Sequence, residues 1–202
     1  MLRITELFGD DHTAKEKFKR NISFGIHVCL PCVIQSYDSE KNTVECQPTI
    51  RERIVNENGS ISYIEYPILI NVPVVQYSCG SFYISMPIAA GDECLVVFSD
   101  LSIDNWWLKG NIQNPVEQRR HDLSDGFAIV GLRNQTKQIK PMTNLEIGSF
   151  NGDKITFGTN GLASITSGGQ TVTFSNIISV VNAYGTHIHD APMGQTGPPK
   201  QG

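Results

Sequence analysis

The sequence predicts a mainly β protein: a small barrel or sandwich followed by a slender trimeric β-prism. Three observations carry that expectation. Short β-patterned runs separated by turn residues recur from Val28 to Gly131, the spacing of a barrel or sandwich rather than of an α/β enzyme. Between Leu145 and Val180, apolar residues recur in pairs two positions apart, with Thr, Ser, Asn and Lys largely filling the opposite face. Near the end stands His187-Ile188-His189, two of only five histidines in 202 residues.

Composition narrows the function classes. Hydrophobic residues make up 40% of the chain, enough for an ordinary core. A net charge of −4 and a pI near 5.7 argue against nucleic-acid binding, which usually uses a basic patch. The four basic residues among Lys15–Arg20 have Glu16 among them and Asp10-Asp11 nearby, and read as a solvated helix face. No apolar run approaches the ~20 residues that span a bilayer, and the first residues lack the apolar region of a secretory signal. A soluble chain made in the cytoplasm is expected. Five cysteines at 29, 32, 46, 79 and 94 do not suggest a disulfide framework.

Taken in order, residues 1–26 form an N-terminal segment with a short helix. Thr13-Ala-Lys-Glu16 has a capping-box pattern, and Phe18, Ile22 and Ile26 recur every four residues. This is the one convincing helix in the sequence. Residues 27–132 supply the barrel. Its strands are expected at Val28–Tyr37, Thr43–Ile50, Arg51–Val55, Ile61–Tyr66, Asn71–Gln76, Ser81–Met86 and Cys94–Phe98. Trp106-Trp107-Leu108-Lys109-Gly110 reads as a further strand with one tryptophan inward, and Phe127–Gly131 as the last. Residues 133–144 are a linker.

The stretch 145–185 is read as the shaft. Leu145/Ile147, Ile155/Phe157, Ala163/Ile165, Val172/Phe174 and Ile178/Val180 are its apolar pairs, and Asn151-Gly152, Asn160-Gly161 and Gly168-Gly169 its turns. Strands this short in about sixty residues cannot bury such stripes within one chain. They need repeated neighbours, as in a solenoid or an intertwined oligomer, and three copies about a common axis would bury them together.

Residues 186–202 form the apex and tail. In an extended strand the rings of His187 and His189 share one face. Two ligands are too few for a transition-metal site. Three chains meeting on an axis would offer six imidazole nitrogens, an octahedral set. The two rings of each chain must then converge, so bending at Gly185 or Asp190 is expected.

Other residues invite chemistry less strongly. Cys29 and Cys32 form a CxxC without a second such pair, and their offset of three in a strand puts the side chains on opposite faces, so core packing is favoured. Asp92, Glu93, Asp100 and Asp104 read as solvated loop carboxylates. His121-Asp122 reads as part of a polar loop, or an interdomain or intersubunit hydrogen-bond site, rather than a catalytic dyad.

The joint order of motifs resembles a known family. It runs Leu30-Pro31, Tyr37-Asp38, Pro87–Asp92, Val96–Asp104, Trp107, Gly110, Arg120–Gly131, His187-Ile188-His189 and Gln195–Pro199. This is similar to the central spike, or membrane-puncturing, proteins of contractile-tailed bacteriophages (baseplate assembly protein V-like). The resemblance implies a homotrimer with an OB-fold barrel, a β-helical shaft, and an apex where one iron ion is held by His187 and His189 of three chains. It further implies docking to the tail hub, tube and baseplate, a place at the tip of the virion's tail, and piercing of the host outer membrane on sheath contraction. Iron suits six imidazoles, whereas zinc prefers four ligands. No enzyme activity is expected.

Two rivals remain. A trimeric receptor-binding adhesin or fibre tip would bind one surface sugar or protein saturably. A metal hydrolase built on His187, His189 and Asp190 would need a general base, and the sequence offers none nearby.

Overall fold

The structure, a computed structural model, describes residues 15, 18, 19, 25–56, 58–140, 143–185, 190, 191, 194 and 195. Two compact units divide between Lys137 and Gln138. The fold is mainly β.

The first unit is built on a curled five-stranded sheet of β1 (Cys29–Asp38), β2 (Thr43–Pro48), β5 (Leu69–Pro73), β8 (Glu93–Phe98) and β9 (Gly126–Val130). Their order is β5-β2-β1-β8-β9, with every neighbouring pair antiparallel. The sheet then curls back on itself. Val74, just after β5, forms a parallel bridge to Ala128 on β9, and the Val75 N–H donates to the Ala128 carbonyl at 2.9 Å.

The core follows the period of two that strands impose. On β8, Cys94, Val96 and Phe98 are buried while Glu93, Leu95 and Val97 are half-buried. Ile34, Val44, Cys46, Leu69, Val72 and Ala128 complete the same core from the other strands. Gly126 lies where strands crowd: a Cβ there would stand 2.6 Å from Val96 Cγ1. The β1–β2 turn is set by Asp38, whose Oδ1 accepts from the Glu40 and Lys41 N–H groups, and by Asn42 at φ 53°. Asparagine tolerates that left-handed geometry better than most residues.

Two hairpins extend from the curled sheet: β3 (Glu52–Val55) with β4 (Ile61–Ile64), and β6 (Tyr77–Cys79) with β7 (Phe82–Ile84). The first was expected. In the second, β6 is an additional strand, and β7 is the central part of the run read as Ser81–Met86.

Trp106 and Trp107 overturn one expectation. Asp104–Lys109 is a helix, α1, not a strand. Asp104 occupies its first turn and Lys109 its last, matching the helix dipole. Gly110 ends it at φ 65°, with its N–H donating to the Trp106 carbonyl at 2.8 Å. Trp106 meets Phe127 edge-on with centroids 5.7 Å apart, and Trp107 lies 6.4 Å from Trp106. Both indoles are part-exposed.

In the N-terminal segment Lys15, Phe18 and Lys19 are helical; the rest of that expectation lies outside the described residues. A 3-10 turn, Gln135–Lys137, precedes the second unit.

The second unit contains a four-stranded antiparallel meander: β10 (Leu145–Gly148), β11 (Lys154–Phe157), β12 (Ala163–Ser167) and β13 (Gln170–Thr173). It agrees with the apolar pairs as far as Val172. Beyond that the structure corrects the expectation. Phe174–Gly185 is a twelve-residue helix, α2, so Ile178 and Val180 are not a strand pair. Thr173 starts it, its Oγ1 accepting from the Asn176 N–H at 3.2 Å, as an N-cap does. Among the described residues, α1 and α2 are helices beyond the one expected. β14 (Asp190–Ala191) and β15 (Gly194–Gln195) form a small antiparallel pair.

Candidate functional site

The meander presents two unlike faces. Register aligns Leu145, Phe157 and Ala163 in one cross-strand row, and Ile147, Ile155, Ile165 and Val172 in the next. The alternate residues give the other face: Glu146, Thr156, Ser164 and Thr173, then Gly148, Lys154, Thr166 and Thr171. That second face is satisfied by its own hydrogen bonds, Lys154 Nζ to Glu146 Oε1 at 2.8 Å and Thr166 to Thr171 at 2.9 Å.

Among the described residues, nothing fully covers the apolar face. Ile155, Ile165, Val172 and Phe157 are 37–45% exposed, and Leu145 and Ile147 more than 60%. Full burial of one such side chain is worth about 1.5–3 kcal/mol. Covering the exposed half of six of them would contribute about 6 kcal/mol per chain. An apolar surface of this kind marks an interaction site.

A second constellation holds the α1 region to the barrel. Asp125 is fully buried and accepts from the Ile103 N–H at 2.9 Å. The Arg119 guanidinium grips it through Nε at 2.5 Å and Nη2 at 2.9 Å, and reaches Asp104 Oδ2 at 2.7 Å. Glu117 completes the cage through Nη1. Asp125 first, then Asp104, raise the Arg119 pKa above its ordinary value. Asp104 is thus a partner in an ion cluster, not the solvated loop residue expected. Neither Arg119 nor Asp125 stands out in the sequence, because a short polar run does not reveal which carboxylate turns inward.

The remaining carboxylates are individually committed. Asp92 Oδ2 accepts from the Ala89 N–H, and Glu93 Oε1 pairs with Lys137 Nζ at 3.2 Å and takes a bond from Asn134. Asp100 lies 3.2 Å from His121 Nε2. His121 has φ 49°, and its buried Nδ1 has no hydrogen-bond partner among the described residues. Asp122 caps the following turn; its bonds from the Ser124 hydroxyl and N–H, in that order, hold its carboxyl below the usual range.

The CxxC divides as expected, Cys29 exposed and Cys32 buried. Cys32 pairs in register with Cys94, and both pack in the core with Cys46. A bond with Cys46 pulls the Cys32 pKa down, but Cys94 and burial push it up to about 12. Bonds with Cys32 and Cys94, then burial, hold Cys46 well above the usual thiol range. Cys94 receives bonds from Cys32 and Cys46 that favour its thiolate against burial. Spacing could not reveal this cluster, since it depends on the register of three strands.

His187 and His189 lie outside the described residues. Among the described residues no cluster of His, Cys, Asp and Glu is arranged to hold a metal ion, and no helix is long and apolar enough to cross a membrane.

Comparison with known proteins places the chain. A family model described as phage protein Gp138 N-terminal domain matches residues 30–131, half of the sequence. No curated protein matches it. The chain belongs to this phage protein family, and its role is that of a phage structural protein.

Proposed function

We propose that this member of the phage family is the subunit of a trimeric central spike, which caps the tail tube and is driven through the host outer membrane when the sheath contracts. The observation that carries the reading is the apolar face of β10–β13, whose two rows are left open by the chain's own fold. Three such faces about one axis bury one another and make a stiff, narrow shaft, while their hydrogen-bonded polar faces meet solvent. No catalytic step is required of it.

The strand order β5-β2-β1-β8-β9 with a parallel return from Val74 to Ala128 supports reading the first unit as an OB-fold barrel. Its task in this proposal is adaptor: docking the trimer to the tail hub, tube and baseplate rather than holding nucleic acid, in keeping with the net charge of −4. The particle's place for the protein is the tail tip of the virion.

The apex of the proposal is one iron ion per trimer, ligated by His187 and His189 of three chains. Imidazole is a fitting donor for iron, and a metal joining three chain ends would oppose the fraying that termini otherwise show. Its purpose is stability.

The test is the native mass and metal content of the purified chain. Three chains with one iron among them are expected. A monomer at micromolar concentration would overturn the spike reading, and a metal-free trimer would remove the iron apex. His187→Ala with His189→Ala should keep the trimer while increasing protease cleavage in the C-terminal third.

A further inference from the structure

We propose that Asn151, in the turn between β10 and β11, is a site of spontaneous covalent modification, converting to aspartate and isoaspartate ahead of the other two Asn-Gly pairs of the folded chain. All the reacting protein atoms belong to one chain, so the inference does not depend on the trimeric reading.

The pairs are Asn58-Gly59, Asn151-Gly152 and Asn160-Gly161. A following glycine favours the reaction, because no side chain shields its backbone nitrogen and its φ and ψ range widely. In the step, the glycine nitrogen attacks the asparagine Cγ. The N–Cγ bond forms, the Cγ–Nδ2 bond breaks, and Nδ2 leaves as ammonia with the proton from the glycine N–H. Water then opens the five-membered imide at either carbonyl, giving aspartate or isoaspartate. Water is the one reagent consumed.

The three turns share a backbone geometry. Their glycines have φ of 79°, 98° and 79° in chain order. Each glycine N–H donates back to the carbonyl three residues before it: Gly59 to Asn56 at 2.9 Å, Gly152 to Ser149 at 3.1 Å and Gly161 to Gly158 at 3.0 Å. All three asparagines are exposed. They differ at the carboxamide, which must be free to turn towards the glycine nitrogen. Asn58 Oδ1 accepts from the Ser60 N–H at 3.0 Å and from its hydroxyl at 2.6 Å, and Asn160 Oδ1 accepts from the Leu162 N–H at 3.1 Å. Among the described residues, the Asn151 carboxamide has no hydrogen-bond partner; only its backbone N–H is engaged, to Ser149 Oγ. Each bond that must break first slows cyclisation about fivefold, the net worth of one hydrogen bond.

The product would loosen a tight turn. Isoaspartate lengthens the main chain by a methylene where the Ser149 N–H donates to the Asp153 carbonyl at 2.8 Å, and where a Cβ on Gly148 would stand 2.6 Å from Lys154 Cβ. Either product also adds a negative charge close to Asp153, whose Oδ1 accepts from the Gly168 N–H at 3.1 Å.

The experiment incubates the full-length chain in mildly alkaline buffer, folded or unfolded in urea, and follows all three pairs by digestion and mass spectrometry. In the folded chain Asn151 should convert about fivefold or more faster than Asn58 and Asn160, and in urea the three rates should draw level. Three results would overturn the proposal: Asn58 or Asn160 keeping pace with Asn151 in the folded chain, no conversion at Asn151 unless the chain is unfolded, or the same ranking in urea as in the folded state.

Discussion

Replacing Asp125 by alanine tests the polar knot that fastens α1 to the barrel. The side chain is fully buried, with three hydrogen bonds: one from the Ile103 N–H and two from Arg119. Hydrogen bonds to a charged group contribute about 1.5–3 kcal/mol each. Their simple sum overstates the loss, because Arg119 keeps Asp104 and Glu117 and is itself part-exposed. Removing one partner of a buried pair typically costs about 3–5 kcal/mol, and the lower half of that range is expected here. Asp125→Asn should cost less, since its amide oxygen can still accept from Ile103. The assay is urea unfolding followed by tryptophan fluorescence, because the only two tryptophans sit on α1. A loss below about 1 kcal/mol for Asp125→Ala would refute the reasoning.

Gly126→Ala should destabilise the barrel by about 1–3 kcal/mol through the Val96 clash, read by the same unfolding curve. In the native chain a thiol reagent should react rapidly at Cys29 and Cys79 and only after unfolding at Cys32, Cys46 and Cys94. Rapid native labelling of all five would contradict the packed core. Asp122 has a lowered pKa, so its contribution is complete above the ordinary aspartate value and is lost as pH falls through the folded value. Asp122→Ala should therefore flatten the fall in urea midpoint below about pH 4; an unchanged slope would count against the turn. Ile165→Asp places a charge in the middle of the open apolar row and should lower the native mass from trimer to monomer, whereas Thr166→Asp on the polar face should leave it unchanged.

The strand pattern was legible where it had one interpretation. Cys94, Val96 and Phe98 alternate cleanly, and the register of Ile147, Ile155, Ile165 and Val172 follows from pairs visible in the sequence. It failed where a short apolar run fits two periods. Ile178 and Val180 are two apart, as in a strand, but Phe174, Ile177, Val181 and Tyr184 satisfy the helical spacing over a longer window. Trp106 and Trp107 gave no period at all, and Asp104, Lys109 and Gly110 were the better signals. The Arg119–Asp125 knot was illegible because a short polar run does not show which carboxylate turns inward, and the three-cysteine core because it is made by strands far apart in the chain. The histidine pair was legible as a motif, and the role proposed for it depends on partner chains.

The return from Val74 to Ala128 also bears on how the molecule forms. The meander joins only neighbouring strands through short turns, so its contacts are local and can appear early. The curled sheet of the first unit is completed by segments far apart in sequence, whose closure entropy must be met before their contact contributes. Each refolding full-length chain would thus hold a formed but uncovered apolar sheet while its first unit is still closing. If the proposed trimer forms, chain concentration then governs whether that sheet meets two copies or a wrong surface. Refolding yield should pass through an optimum as concentration rises.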